Sequence, residues 1–288
     1  MADDTTPYAC DKTLEGLFYK LEQDTLSAII WFQNNYMELN QNKCHFLISG
    51  NTNEHLWTKV GEKMIWESSQ EKLLGITIDK NLKFTKHLEN ICKKASAKVT
   101  ALARMVKILP FHKKRILMKT FIESQFSYCP LIWMFCTRKM NRRVNHIQER
   151  ALRLVYDDYI TPFNDLLVKD KSVTIHHRNI QRVAVEMFKV KNNLFPEIGQ
   201  IFKKSESIYN TRSNAFFSRP QITTICMGEE SLRSFGPIVW NHMLPHNLKL
   251  NLNLSKFKEE IKSWTPINCP CKLCKDYIPN LGYVKLFS

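Results

Sequence analysis

The sequence predicts an α+β fold, mostly helical, in which the strands are confined to the first third of the chain. Short β candidates parted by turn residues cluster between positions 44 and 79, and from Thr85 onward apolar residues recur at intervals of three and four. The basic residues are concentrated in the first of these helical stretches. Together these observations divide the chain into a small antiparallel sheet with one helix over residues 1–79, a basic helical segment over 80–157, and a helical C-terminal domain over 158–288 with a cysteine-rich end. At 288 residues, 44% hydrophobic and 11% aromatic, the chain can bury a sizeable core in roughly two domains, and its composition is not that of a disordered tail.

Taken in order, Leu14, Phe18, Leu21, Ile29 and Phe32 lie at helical spacing and predict an amphipathic helix over 12–36. A strand over 44–49 ends at the turn signal Gly50-Asn51. Residues 56–60, 63–66 and 73–78 follow as strands of the same sheet, with Gly61 and Ser68-Ser69 in the turns and Asp79-Lys80-Asn81 closing it. Leu88, Cys92, Ala95, Val99, Leu102 and Met105 then mark a helix that stops near Leu109-Pro110. Two more helices are expected over 113–127 and 139–157. In the latter, Val144, Ile147, Ala151 and Leu154 form an apolar stripe, while Arg143, His146, Arg150 and Arg153 line the adjacent face. That face offers guanidinium groups either to water or to a phosphate backbone. The basic excess ends across 157–172, a candidate boundary. Beyond it, 176–193 reads as a helix, 209–224 is rich in β-branched and aromatic residues, Gly236-Pro237 interrupts a helical stretch carrying Trp240, and 257–264 is a short terminal helix.

Charge is distributed unevenly. The formal net charge is +15, and residues 80–156 carry 18 Lys or Arg against 3 Glu, leaving 24 basic and 24 acidic residues elsewhere. One segment therefore holds the whole excess, the electrostatic footprint of a polyphosphate partner whose binding weakens steeply with salt. Lys93, Lys94 and Lys98 on the first basic helix, with Arg143, Arg150 and Arg153 on the last, are the candidate backbone contacts. No stretch approaches the roughly 18 consecutive apolar residues of a membrane span; the run 128–136 is short and contains Pro130. The acidic N-terminus lacks the early apolar region of a secretory signal, so the nine cysteines are expected as reduced thiols in the cytoplasm or nucleus. Neither a Gly-rich phosphate loop nor the Ser/His/Asp spacing of a hydrolase is present.

Three of those cysteines, Cys269, Cys271 and Cys274, fall within six residues. Structural Zn²⁺ takes four tetrahedral ligands, so a fourth would have to come from a distance, with His242, His246 or Cys226 as candidates. The alternative is a group of reduced surface thiols. The pair His176-His177 points in two directions on a helix and reads as a helix-surface feature rather than a chelate.

At the start of the chain, Met1-Ala2-Asp3-Asp4 sets two carboxylates side by side. Alone, the pair reads as a solvated acidic start. In a polymerase such a pair sits at a hairpin tip and holds Mg²⁺, with two ions about 3.5–4 Å apart stabilising the attacking and leaving oxygens. Downstream come Asn40-Gln41-Asn42-Lys43, an Asn-x-x-Lys entry into a strand, and the Leu-Gly hairpin Lys72-Leu73-Leu74-Gly75-Ile76-Thr77-Ile78-Asp79. The order and spacing of these motifs, continued by IHHRNIQRVAVEMFKVKNNLFPEI, YNTRSNAFF, SFGPIVWNHMLP and SKFKEEIKSW, extend over essentially the whole chain. In them the chain resembles the C-terminal half of reverse transcriptases from non-long-terminal-repeat (LINE-like, jockey-type) retrotransposons, beginning at the Ala-Asp-Asp catalytic motif.

The resemblance implies a partial palm over 1–79, a basic helical thumb over 80–157 and a C-terminal domain over 158–288. It also implies that Asp3 and Asp4 bind Mg²⁺, that Lys43 protonates the pyrophosphate leaving group, and that Leu74 and Gly75 position the primer. The basic helices would then grip an RNA template–DNA primer duplex through its backbone. The fingers, the first half of the palm with its third catalytic carboxylate, and an endonuclease domain are not among these residues. The expectation is accordingly a fragment that is inactive unless the missing N-terminal polymerase half is supplied. Two other readings remain open: a non-catalytic, basic nucleic-acid-binding module, and a retroelement relic without a selected function.

Overall fold

The computed structural model describes residues 5–50, 56–195, 199–204, 216–222, 228–266, 269–275, 277–278 and 282–283. The fold is α+β and mostly helical, as the periodicities predict. Its contacts divide it into two compact units, Met1–His87 and Leu88–Ser288.

In the first unit, α1 (Leu14–Asn34) is started by Thr13, whose hydroxyl accepts from Gly16 N at 3.2 Å. None of its 21 residues is buried, and Tyr19, Leu26, Ile30 and Trp31 are exposed. The strands form two separate hairpins, β1 (Trp57–Val60) with β2 (Lys63–Trp66) and β3 (Gln70–Leu73) with β4 (Ile76–Asp79). The single sheet expected from the sequence does not form. Residues 44–49 contribute one parallel bridge, Phe46 to Glu67. The two hairpins share no buried core: the first buries only the facing pair Thr58 and Ile65, and the second buries no residue fully.

The β3–β4 turn is made by Leu74 at φ 47° and Gly75 at φ 83°. Two positive φ values give the turn a twist that matches its strands. Glycine adopts this conformation freely, but leucine is strained in it. After β4, the Asp79 carboxylate accepts from the backbone N–H groups of Asn81 and Lys83 at 3.1 Å and of Phe84 at 2.6 Å. This side chain turns the chain into α2 (Thr85–Met105).

The second unit holds most of the core. Leu88, Cys92, Ala95, Val99 and Leu102 of α2 are buried, the stripe that their spacing predicts. The helix expected over 113–127 is instead α3 (Phe111–Leu117), a π-helical turn at Met118–Ile122 and a 3₁₀ turn at Glu123–Phe126. Met118, Ile122 and Phe126, spaced four apart along this stretch, are all three buried. After the short α4 (Pro130–Trp133), α5 (Arg138–Tyr156) is capped by Thr137, whose hydroxyl accepts from Met140 N. Packing does not respect the charge boundary near 157–172, because α5 lies against both α6 (Phe163–Asp170) and α7 (Ile175–Lys191). At the α3–α6 contact, buried Asp170 accepts from Arg115 Nε at 2.6 Å and from the Tyr156 hydroxyl at 3.0 Å.

Helix α7 forms the centre of the unit. Ile180, Val183, Ala184, Met187 and Phe188 are wholly buried against α8 (Leu232–Ile238), the π-helical turn Val239–Met243, α9 (His246–Lys249) and α10 (Leu254–Glu260). Phe188 stacks on Phe257 with ring centroids 4.4 Å apart, and Trp240 packs beside both. A Cβ on Gly236 would meet Met187 Sδ at 2.5 Å, so a larger residue there would force the buried Met187 side chain to move. Pro237 lies inside α8 rather than breaking it; that helix has seven residues, and the π-helical turn follows directly. Of the segment 209–224, residues 209–215 and 223–224 lie outside the described residues, while Phe217 is buried and bridges to Lys204. The chain closes through α11 (Lys272–Lys275) and a two-stranded antiparallel pair, β5 (Tyr277–Ile278) and β6 (Gly282–Tyr283). No helix among the described residues is long and apolar enough to cross a membrane.

Candidate metal centre

Thr174 starts α7, its hydroxyl accepting from His177 N at 3.2 Å. The same turn is gripped from α5 by Gln148, which accepts from Ile175 N at 3.1 Å and donates to Val173 O at 3.0 Å. His176 is thereby fixed in the first turn of α7, and it is buried. One turn along, Gln181 Nε2 donates to Trp264 O at 2.7 Å, which anchors the segment leading to the cysteines. Cys269 and Leu273 are buried, and Cys274 N donates to Cys271 O at 3.1 Å in a tight turn.

These constraints bring four ligand atoms together. The side chains of His176, Cys269, Cys271 and Cys274 offer one nitrogen and three sulfurs, all within 4.8 Å of one another, a group that could hold a metal ion. His176 Nε2 lies 3.2 Å from Cys271 Sγ, and Cys274 Sγ lies 3.8 Å from His177 Nε2. The thiols polarise one another. Hydrogen bonds from Cys269 and Cys274, with His176 adding to them, hold Cys271 well below the usual thiol range. Hydrogen bonding to Cys271 pushes Cys269 up to about 12, and the bonds Cys274 makes to Cys269 and Cys271 raise it too. Burial, with repulsion from His176, pushes the His177 imidazole down to about 4, so it stays neutral. A bound cation would let all three sulfurs ionise together.

The fourth member of this group was not foreseen from the sequence, which offered His242, His246 or Cys226 and assigned the His176-His177 pair to a helix surface. Position 226 lies outside the described residues. His176 is instead buried, because α7 is covered on that side by the C-terminal segment. Of the two adjacent histidines only His176 is within this group, while His177 lies beside Cys274. Among the described residues no other cluster of three or more His, Cys, Asp or Glu is placed to hold an ion, and no cysteine is in a disulfide.

The remaining candidates are dispersed. Asp3 and Asp4 lie outside the described residues, so no Mg²⁺ site is defined. Lys43 is exposed at the end of a 3₁₀ turn, Gln41–Lys43. Leu74 and Gly75 form the β3–β4 turn, with the Leu74 side chain exposed. On the basic helices Lys93, Lys94, Arg143 and Arg150 are exposed, and the Lys98 ammonium lies 5.9 Å over the Phe121 ring. Arg153 is committed within the protein: it donates to Glu149 at 2.6 and 3.2 Å and to Asp158 O at 3.2 Å. No protein-family model, curated protein or solved structure matches the chain.

Proposed function

We propose that this chain is the C-terminal half of a non-long-terminal-repeat retrotransposon reverse transcriptase, supplying part of a palm and a basic thumb, and that alone it does not polymerise. The observation that carries this reading is the bareness of the first unit. A 21-residue helix rich in apolar side chains buries none of them fully and leaves Tyr19, Leu26, Ile30 and Trp31 exposed, and Trp57, Met64 and Trp66 on the neighbouring hairpin are also exposed. Apolar surface on this scale belongs against another segment, and in a palm that segment is the other half. The strained, exposed Leu74 at a hairpin tip suits a primer-positioning role, since strain held at a tip points to function rather than packing. Zn²⁺ is the ion we assign to the thiol-rich group of the second unit, because soft thiolates select it and reject Mg²⁺. The setting is the cytoplasm or nucleus, where thiols stay reduced.

Primer extension on a homopolymer template with Mg²⁺ tests this. The chain alone is expected to give no product; incorporation abolished by Asp4→Asn would contradict the proposal.

A second reading, a non-catalytic nucleic-acid-binding module, is favoured by Lys93, Lys94, Arg143 and Arg150, which stand exposed without reference to any catalytic group. Reversing Arg143 and Arg150 to Glu should weaken duplex binding and flatten its salt dependence by about 1 in log–log slope per lost phosphate contact. Equal affinity at low and high salt would exclude backbone binding in either reading.

A further inference from the structure

We propose that His176, Cys269, Cys271 and Cys274 form a closed structural zinc clasp, with His177 as its outer donor, that staples the C-terminal segment across the N-terminal turn of α7. The proposal rests on the assignment of Zn²⁺ above and goes further, to the ligand set and its role.

The geometry fits a tetrahedral ion. Zn–S bonds of about 2.3 Å and Zn–N bonds of about 2.05 Å place sulfurs about 3.8 Å apart and nitrogen about 3.6 Å from each sulfur. The observed 3.2 Å from His176 to Cys271, and the 4.8 Å limit on all pairs, bracket those values. Small side-chain movements suffice to close the site. Four protein ligands leave no open position for water or substrate, which marks a structural rather than a catalytic site. His177 cannot serve as a fifth ligand to a filled tetrahedron. At 3.8 Å from Cys274 Sγ, its Nε2–H can instead donate to the thiolate and orient it, the usual task of an outer group beside a metal.

The position of the clasp defines its role. Cys271 is 95 residues from His176 in sequence, so the ion closes a long loop of chain. Within that loop lie α8, α9 and α10, which build the aromatic core on α7 around Phe188, Trp240 and Phe257. The stapled turn is the one held by Gln148 of α5, and two residues later Arg178 forms a paired contact with buried Glu123 at 2.9 and 3.1 Å. The ion thus ties the C-terminal segment to the point where α7 is joined to the basic helices.

Metal analysis of the purified full chain should find one zinc per molecule, released by a thiol-reactive reagent. Replacement by Co²⁺ should give the visible bands of a tetrahedral S₃N site. Chelation of the wild-type protein should lower its melting temperature by roughly 10 °C, the shift expected when a unit of this size loses a ligand held at a thousand times its Kd. His176→Ala should lose stoichiometric zinc. His177→Ala should keep it with affinity reduced about 10- to 100-fold. If His176→Ala fails to fold, the wild-type cobalt spectrum still decides the ligand set. A metal-free protein would overturn the zinc assignment itself. Bound zinc with an S₄ spectrum, or zinc removable without a change in melting temperature, would leave that assignment standing and overturn the clasp.

Discussion

The two units of this protein use similar lengths of helix very differently. Helix α1 and helix α7 are 21 and 17 residues long; no residue of α1 is fully buried, while ten residues of α7 are. Each begins with a threonine cap, so local sequence nucleates both helices alike. What separates them is cover. Helix α7 is enclosed by aromatic side chains from α8 and α10 and pinned at its first turn, whereas the hairpins of the first unit are pairs of four-residue strands that bury few of their own residues. Isolated helices and two-stranded hairpins are marginal in water, and packing supplies most of their stability. On the proposed reading the first unit is completed by a covering segment, whereas the second builds its own core.

The largest expected effect lies in the aromatic core. Trp240→Ala should destabilise the second unit by about 3–5 kcal/mol, while Trp31→Ala on α1 should stay within about 0.5 kcal/mol, both read by denaturant unfolding. A comparable loss at Trp31 would show that α1 has found cover and would end the contrast. Next comes Asp170→Asn, which removes a charge-assisted bond to Arg115 and turns an amide against its donors. About 2 kcal/mol is expected there. The corresponding change Asp11→Asn, breaking the exposed contact with Lys20, should leave stability unmoved.

Much of this contrast could be read in the sequence. The apolar stripes of α2 and α5 give helices whose ends fall close to the expected ones, because a three-and-four spacing commits one face to burial, and α7 likewise falls close to the expected 176–193. Two features escaped for different reasons. His176 becomes a candidate ligand only when the C-terminal segment folds back over α7, a tertiary contact that local spacing does not encode. Arg153 is engaged by Glu149 one turn back on α5 and by Asp158 O just past its end, a local pairing that the i,i+4 spacing did offer. A histidine just inside a capped helix, in a chain with an incomplete cysteine trio, was the available signal. The two separate hairpins were missed because alternation predicts strands without saying which of them pair.

The smallest effect should be the same in both units. Asp11 is held down to about 2, first by Lys20 and then by Thr13 N–H, and Asp158 is held well below the usual carboxylate range by the backbone N–H and hydroxyl of Thr161. A depressed folded value means that each contributes stability above the ordinary carboxylate pKa of about 3.9, and that this is lost as pH falls through the lowered folded value. Both carboxylates sit in surface turns beside a lysine and remain partly open to water, so Asp11→Asn and Asp158→Asn should each remove only a slight part of the acid dependence of the melting temperature below about pH 4. A large change from either would show that these surface turns carry more of the fold than their exposure allows.

The most direct test of the central proposal, that a further segment covers the first unit while the second builds its own core, is amide hydrogen exchange on the full chain supplied with Zn²⁺. Exchange from the middle of α7 should be slower than from the middle of α1 by about two orders of magnitude or more, with α1 opening at a small fraction of the global unfolding free energy. Equal protection along α1 and α7 would contradict the account, because it would mean that the first unit is already complete.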